Sequence, residues 1–140
     1  MHIAIIGATG VVGRELLQLL SSKAASFSLF ASKAGELDGY PVLPLNDPIS
    51  CDVAFFCAGS HVSSREIPRW IANGTIVIDL SSAFREDAPL IIPEINAEKI
   101  QGPLLTSPNC TTSIMLMPLA PLHKKFNIKR IVTSTYQAAS

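Results

Sequence analysis

His2-Ile3-Ala4-Ile5-Ile6-Gly7-Ala8-Thr9-Gly10-Val11-Val12-Gly13 reads as a buried strand that runs straight into a glycine turn. Residues 2–6 are apolar and mostly β-branched, the composition of a strand covered on both faces. Beyond the turn, Leu16, Leu17, Leu19 and Leu20 recur at helical spacing, with Arg14, Glu15 and Gln18 between them. Strand, glycine turn and helix in immediate succession form the context in which Gly7-x-x-Gly10-x-x-Gly13 holds a dinucleotide. The glycines let main chain approach a pyrophosphate, and the helix offers its unpaired N–H groups and positive dipole end. A turn that merely lets strand and helix pack closely would carry the same glycines, so the reading depends on the rest of the chain.

Further strands are predicted at 27–31, 52–57 and 75–80, with a short extra one at 40–45, limited by Pro41 and Pro44. The first helix fades at Ser21-Ser22. A second runs from a Ser60 or His61 cap to Ala72, and Pro68 should kink it or delay its start. Residues 83–103 are irregular by pattern, with a turn or two of helix near 96–100. Leu104-Leu105-Thr106 is short and apolar. Ser107 to Thr112 then opens a last helix that reaches Phe126 despite Pro118 and Pro121, and 128–137 alternates like a strand. Strands alternating with helices imply the α/β class: a Rossmann-type, doubly wound, mostly parallel sheet. Its ligands bind at the carboxyl ends of the strands, here the loops 7–13, 57–61 and 80–85.

Composition narrows the function. The 140 residues carry 11 Lys+Arg against 11 Asp+Glu, with 48% hydrophobic and 16% charged residues. A chain so apolar is no disordered tail, and zero net charge argues against a nucleic-acid partner. The length fits one domain and not two. The N-terminus has no basic region and its apolar run stops at Gly7, so export is not expected. The run from 114 to 122 is broken by two prolines and is too short for a bilayer. Cys51, Cys57 and Cys110 form no disulfide framework and stand at no zinc spacing, which points to reduced thiols in the cytoplasm and no metal site.

The end of the second strand bears on which cofactor is bound. An NAD site usually places Asp or Glu there to hold the ribose 2′-hydroxyl. This chain has Ala31-Ser32-Lys33, a hydroxyl and a cation that suit a 2′-phosphate, and NADP is favoured; Glu36 nearby keeps NAD in view. Cys110 follows Pro108-Asn109 at a predicted helix start, where orphan N–H groups and the dipole stabilise a thiolate nucleophile. Cys51 and Cys57 flank an apolar strand and read as small buried residues, although Cys57 ends its strand where a cofactor would lie.

Gly7-Ala-Thr-Gly-Val-Val-Gly13, Asp79-Leu-Ser-Ser-Ala-Phe-Arg85, Ser107-Pro-Asn-Cys-Thr-Thr112 and Ser134-Thr-Tyr-Gln-Ala-Ala-Ser140 occur in that order. Together they resemble the N-terminal portion of the aspartate-β-semialdehyde dehydrogenases. The resemblance implies that Cys110 attacks the aldehyde, that hydride passes to NADP⁺, and that phosphate releases β-aspartyl phosphate from a Cys110 thioester. In biosynthesis the reaction runs in reverse, towards lysine, threonine and methionine. It assigns phosphate binding to Arg85 and Asn109 and substrate orientation to Gln137. It assigns cofactor contacts to Gly7, Thr9, Gly10, Val11, Val12, Gly13, Ser32, Lys33, Ala58, Gly59, Ser60 and Pro108. Ser60 stands where many relatives have a second glycine. The sister family, N-acetyl-γ-glutamyl-phosphate reductase, shares the glycine loop but typically has Gly where this chain has Asn109.

The resemblance also implies a division of the chain. Residues 1–127 are expected to form the dinucleotide-binding domain with its nucleophile, and 128–140 the first strand of a substrate and dimerisation domain. That domain supplies the family's acid/base histidine and an arginine for the substrate carboxylate. No residue here matches either, and His2, His61 and His123 read as structural or surface residues. The chain by itself is therefore expected to have negligible activity, its tail pairing with a second copy or remaining disordered, and the full-length protein to be a homo-oligomer. A stand-alone NADP-binding module and a reductase of another acyl phosphate are the alternatives.

Overall fold

A computed structural model describes residues 1–23, 25–46 and 48–136. Its centre is β1 (His2–Ile6), which pairs in parallel with β2 (Ser26–Ala31) on one side and β5 (Val53–Phe56) on the other. β6 (Ile76–Asp79) and β7 (Leu104–Thr106) extend the sheet beyond β5. On the opposite side β4 (Tyr40–Pro44) joins β2, and β3 (Gly35–Leu37) closes the edge as the single antiparallel strand among the described residues. The resulting order is β3-β4-β2-β1-β5-β6-β7.

The period-2 pattern of β1 divides its apolar side chains between two cores. Ile3 and Ile5 face a cluster with Leu29 and with Leu17 of α1 (Val11–Ser21). Ala4 and Ile6 face Phe30, Phe56, Ile67 and Trp70, the last two from α2 (Ser60–Ala72). Trp70 meets Phe30 and Phe56 edge-on, with centroids 5.7 and 5.8 Å apart, an arrangement favourable to aromatic quadrupoles. Both faces of the sheet are thus covered, as a doubly wound fold requires.

Four local expectations change. α2 starts at Ser60 and runs through Pro68, because Pro68 and Ser64 both face solvent, where water can satisfy the carbonyl left without its N–H. Its cap is Gly59, at φ +85°, while Ser60 Oγ bonds Ser82 Oγ instead at 2.9 Å. β3 has no strong strand pattern; it is created by the turn Asp38-Gly39, both residues at positive φ, which folds it back on β4. Residues 128–136 form no strand, since no described neighbour supplies a ladder, and Val132 and Tyr136 are 85% and 92% exposed. The remaining elements are α3 (Pro93–Asn96), a 3-10 turn over Ala97–Lys99 and α4 (Cys110–Phe126). No helix among the described residues is long and apolar enough to cross a membrane.

Candidate active site

The glycine turn is as tight as its sequence suggests. Gly7 sits at φ +87°, and a Cβ there would lie 2.8 Å from Ala58 N and from Cys57 C, so the turn after β5 crosses directly over it. A Cβ on Gly13 would lie 2.3 Å from Gly7 O, so the first turn of α1 rests on the loop. Gly10 caps α1 with no side-chain hydrogen bond and donates its own N–H to Gly7 O at 3.0 Å. The first-turn amides of α1 therefore have no side-chain acceptor, the condition under which a helix start receives a phosphate.

A cleft of about 510 Å³ opens above the carboxyl ends of β1, β2 and β5. Gly7, Thr9 and Gly10 line it from the turn, Ser32 from the end of β2, and Cys57 and Ala58 from the end of β5. This is the point where the connections leave β1 in opposite directions, the place such folds bind ligands. A glycine loop with no room for a Cβ on Gly7, a helix start without a side-chain cap, and a lining that mixes Thr9, Ser32 and Asn46 with apolar residues fit a dinucleotide. Lys33 and Glu36 are exposed and do not line the cleft. Val11 and Val12 lie exposed at the helix start, and Gly13, Gly59, Ser60 and Pro108 also stand outside the lining. Two polar side chains that the sequence did not single out also line it, Asn46 and Arg65 on α2, and Arg65 is the one charged side chain among the described lining residues. The Cys57 thiol is pushed up to about 11, by burial first and by the neighbouring charge of Asp79 second, so it is a neutral wall at ordinary pH.

A second assembly is built around Asp79, which is fully buried at the end of β6. Its carboxylate accepts from Ser63 Oγ at 2.8 Å, Ser81 N at 3.0 Å and Ser81 Oγ at 2.9 Å. Its main-chain carbonyl accepts from Ser107 N at 2.9 Å. Asp79 thereby joins α2, the loop after β6 and the segment leading to α4. Half-buried Arg85 donates Nε to Ser107 O at 3.0 Å, fastening that loop to the same segment. Two residues on, Asn109 caps α4: its Oδ1 accepts from Thr111 N at 2.9 Å and Thr111 Oγ1 at 2.6 Å. Cys110 is the first residue of α4, exposed, with Sγ 3.8 Å from Asn109 Oδ1.

The fold thus brings Arg85, Asn109 and Cys110 into one connected unit, and Gly7, Thr9, Gly10, Ser32 and Ala58 into another. Gln137 lies outside the described residues. Among the described residues no three His, Cys, Asp or Glu side chains cluster as metal ligands would.

Comparison with known proteins gives this arrangement a family. The family described as semialdehyde dehydrogenase, NAD binding domain, matches residues 2–102. Aspartate-semialdehyde dehydrogenase of Rickettsia conorii is 40% identical over 157 residues, covering 99% of this chain and 46% of that protein. The protein of the same name from Aquifex aeolicus is 39% identical over 158 residues, with the same coverage. Among solved structures, aspartate semialdehyde dehydrogenase II from Vibrio cholerae, complexed with ASA, aligns with a TM-score of 0.79 at 31% identity. That alignment covers 88% of this chain and 46% of the other. The chain spans just under half the length of the curated relatives it matches. With the family match covering more than half of its residues, the chain belongs to the semialdehyde dehydrogenase family and carries that family's NAD-binding domain.

Proposed function

We propose that the chain is the cofactor-binding and nucleophile-bearing part of an NADP-dependent aspartate-semialdehyde dehydrogenase. The observation that carries this reading is the linkage of Arg85 through Ser107 to the capped helix that begins at Cys110. An anion-binding guanidinium tied to the segment that presents an exposed thiol is what a phosphorylating acyl transfer needs. The curated relatives of the same name, at about two-fifths identity, support this reading over a stand-alone module or another acyl-phosphate reductase.

In this mechanism Cys110 Sγ bonds the aldehyde carbon, and the carbonyl oxygen gains a proton. The cofactor, when bound in the cleft, would accept a hydride from that carbon, and with the hydroxyl proton released to solvent an acyl group is left on Cys110. Arg85 holds the incoming phosphate through the guanidinium nitrogens that are not engaged with Ser107. A phosphate oxygen then bonds the acyl carbon, and Cys110 departs as thiolate. Asn109 keeps the cysteine at the helix start by capping α4, and its amide is close enough to the thiol to help hold the reacting phosphate. The 2′-phosphate finds Ser32, and the pyrophosphate finds Gly7, Thr9, Gly10 and the amides of Val11, Val12 and Gly13. Lys33, Ala58, Gly59, Ser60 and Pro108 border the cofactor, and Gln137 orients the substrate. Residues 1–127 form the cofactor domain and 128–140 open the substrate domain of the intact protein, a cytoplasmic homo-oligomer with no nucleic-acid or membrane partner.

The test is NADP⁺ reduction by the intact protein with aspartate semialdehyde and phosphate. Activity that requires phosphate and vanishes in Cys110→Ser, with NADP binding retained, is the expected result. Turnover that persists in Cys110→Ser contradicts it.

A further inference from the structure

We infer that Arg65 is the residue that selects the ribose 2′-phosphate, in place of the sequence-adjacent candidate Lys33; this rests on the reading of NADP as cofactor. Three observations carry it. Arg65 lines the same cleft as Ser32 and Asn46, whereas Lys33 does not, and it brings the only charge among the described lining residues. Among the described residues, no carboxylate lines the cleft to hold a ribose 2′-hydroxyl in the manner of an NAD site. The guanidinium is also pre-oriented: Nε donates to Glu66 Oε1 at 2.6 Å, and the Glu66 side chain is only 5% exposed. The second oxygen of Glu66 accepts from Arg69 Nη1 at 3.0 Å, so the carboxylate is anchored at both ends.

Held by Nε, Arg65 has its two terminal Nη groups without a partner among the described residues. Such a fork matches two oxygens of a phosphate and gives nothing comparable to a neutral hydroxyl. Its side chain is 57% exposed, so the pair with Glu66 contributes little to holding the fold, and Arg69 remains on Glu66 when Arg65 is replaced.

The experiment is calorimetric titration of the intact protein with two ligand pairs, NADP against NAD and 2′,5′-ADP against 5′-ADP. The proteins compared are wild type, Arg65→Ala, Arg65→Lys and Lys33→Ala. Arg65→Ala is expected to weaken NADP and 2′,5′-ADP by about tenfold or more, the scale of a lost charge-assisted hydrogen-bond pair, and NAD and 5′-ADP by less than about twofold. Arg65→Lys keeps the charge without the fork and falls between. Lys33→Ala should move the phosphate preference less than Arg65→Ala does. A wild type that prefers NAD overturns the cofactor reading itself. A wild type that prefers NADP, with the same preference in Arg65→Ala or an equal loss for both ligands of a pair, overturns the assignment to Arg65 alone.

Discussion

Arg85 Nε donates to the main-chain carbonyl of Ser107 at 3.0 Å, which ties the loop after β6 to the segment that leads to Cys110. The bond occupies one side of the guanidinium fork. Replacing Arg85 by Ala removes both this tie and the phosphate contact assigned to it. The expected effect on the intact protein is a fall in kcat/KM of about a hundredfold or more, expressed in the KM for phosphate as well as in kcat. Arg85→Lys should recover little, because an ammonium cannot reproduce the fork. Steady-state kinetics with phosphate varied will show it; an unchanged phosphate KM in Arg85→Ala would remove Arg85 from the site.

Asp79 is the buried hub behind that tie. Its carboxylate accepts three hydrogen bonds, two of them from Ser81 and one from Ser63. Asp79→Asn replaces one acceptor oxygen by an NH2 that faces donors. The expected loss is about 2–3 kcal/mol of unfolding free energy, measured by urea denaturation. A variant as stable as the parent would show that these bonds do not hold the loop.

The glycine of the turn and that of an edge strand differ sharply in tolerance. Gly13→Ala places a Cβ 2.3 Å from Gly7 O, backbone that cannot yield cheaply. It should cost about 3 kcal/mol and abolish cofactor binding. Gly35→Ala meets nothing within 4 Å and should be nearly neutral. Thermal unfolding of the two variants side by side decides the matter, and similar melting temperatures would contradict the packing described for the turn.

The cysteines should separate by reactivity and by pH. Cys110 is exposed, whereas burial raises Cys51 and pushes Cys57 up to about 11. Iodoacetamide near neutral pH is expected to label Cys110 first, as read by peptide mass mapping. The Cys57 shift also has a stability consequence. In the unfolded chain this thiol ionises near its ordinary 9.0, and in the fold near 11. Between those values the unfolded state binds fewer protons, so stability falls as pH rises. The contribution is complete below pH 9 and lost through 11, with a size of the order of 2–3 kcal/mol. Cys57→Ala should flatten that part of the pH profile.

Much of the fold was legible because its signals are local. The apolar run of β1, the Gly7 to Gly13 turn and the Pro108-Asn109-Cys110 helix start each declare themselves within a few residues. β3 escaped because Gly35-Glu36-Leu37 has no alternation of its own; only Asp38-Gly39, a strong hairpin dipeptide, marks it. Arg65 escaped for a different reason. It lies far along the chain from Ser32, and only the crossing of α2 over the sheet brings the two to one cleft. Lys33 shows the converse: it is adjacent to Ser32 in sequence, yet it is exposed and does not line the cleft. The described residues 128–136 carry the strand pattern, but a pattern becomes a strand only beside a partner.

The central claim is that Cys110 carries the acyl group. The direct measurement is mass spectrometry of the intact protein mixed with aspartate semialdehyde and NADP⁺ in the absence of phosphate, then quenched in acid and digested. The account predicts an aspartyl thioester on the peptide containing Cys110, cleared when phosphate is added before the quench. An adduct on Cys51 or Cys57, or NADPH formed with no adduct on Cys110, would contradict it.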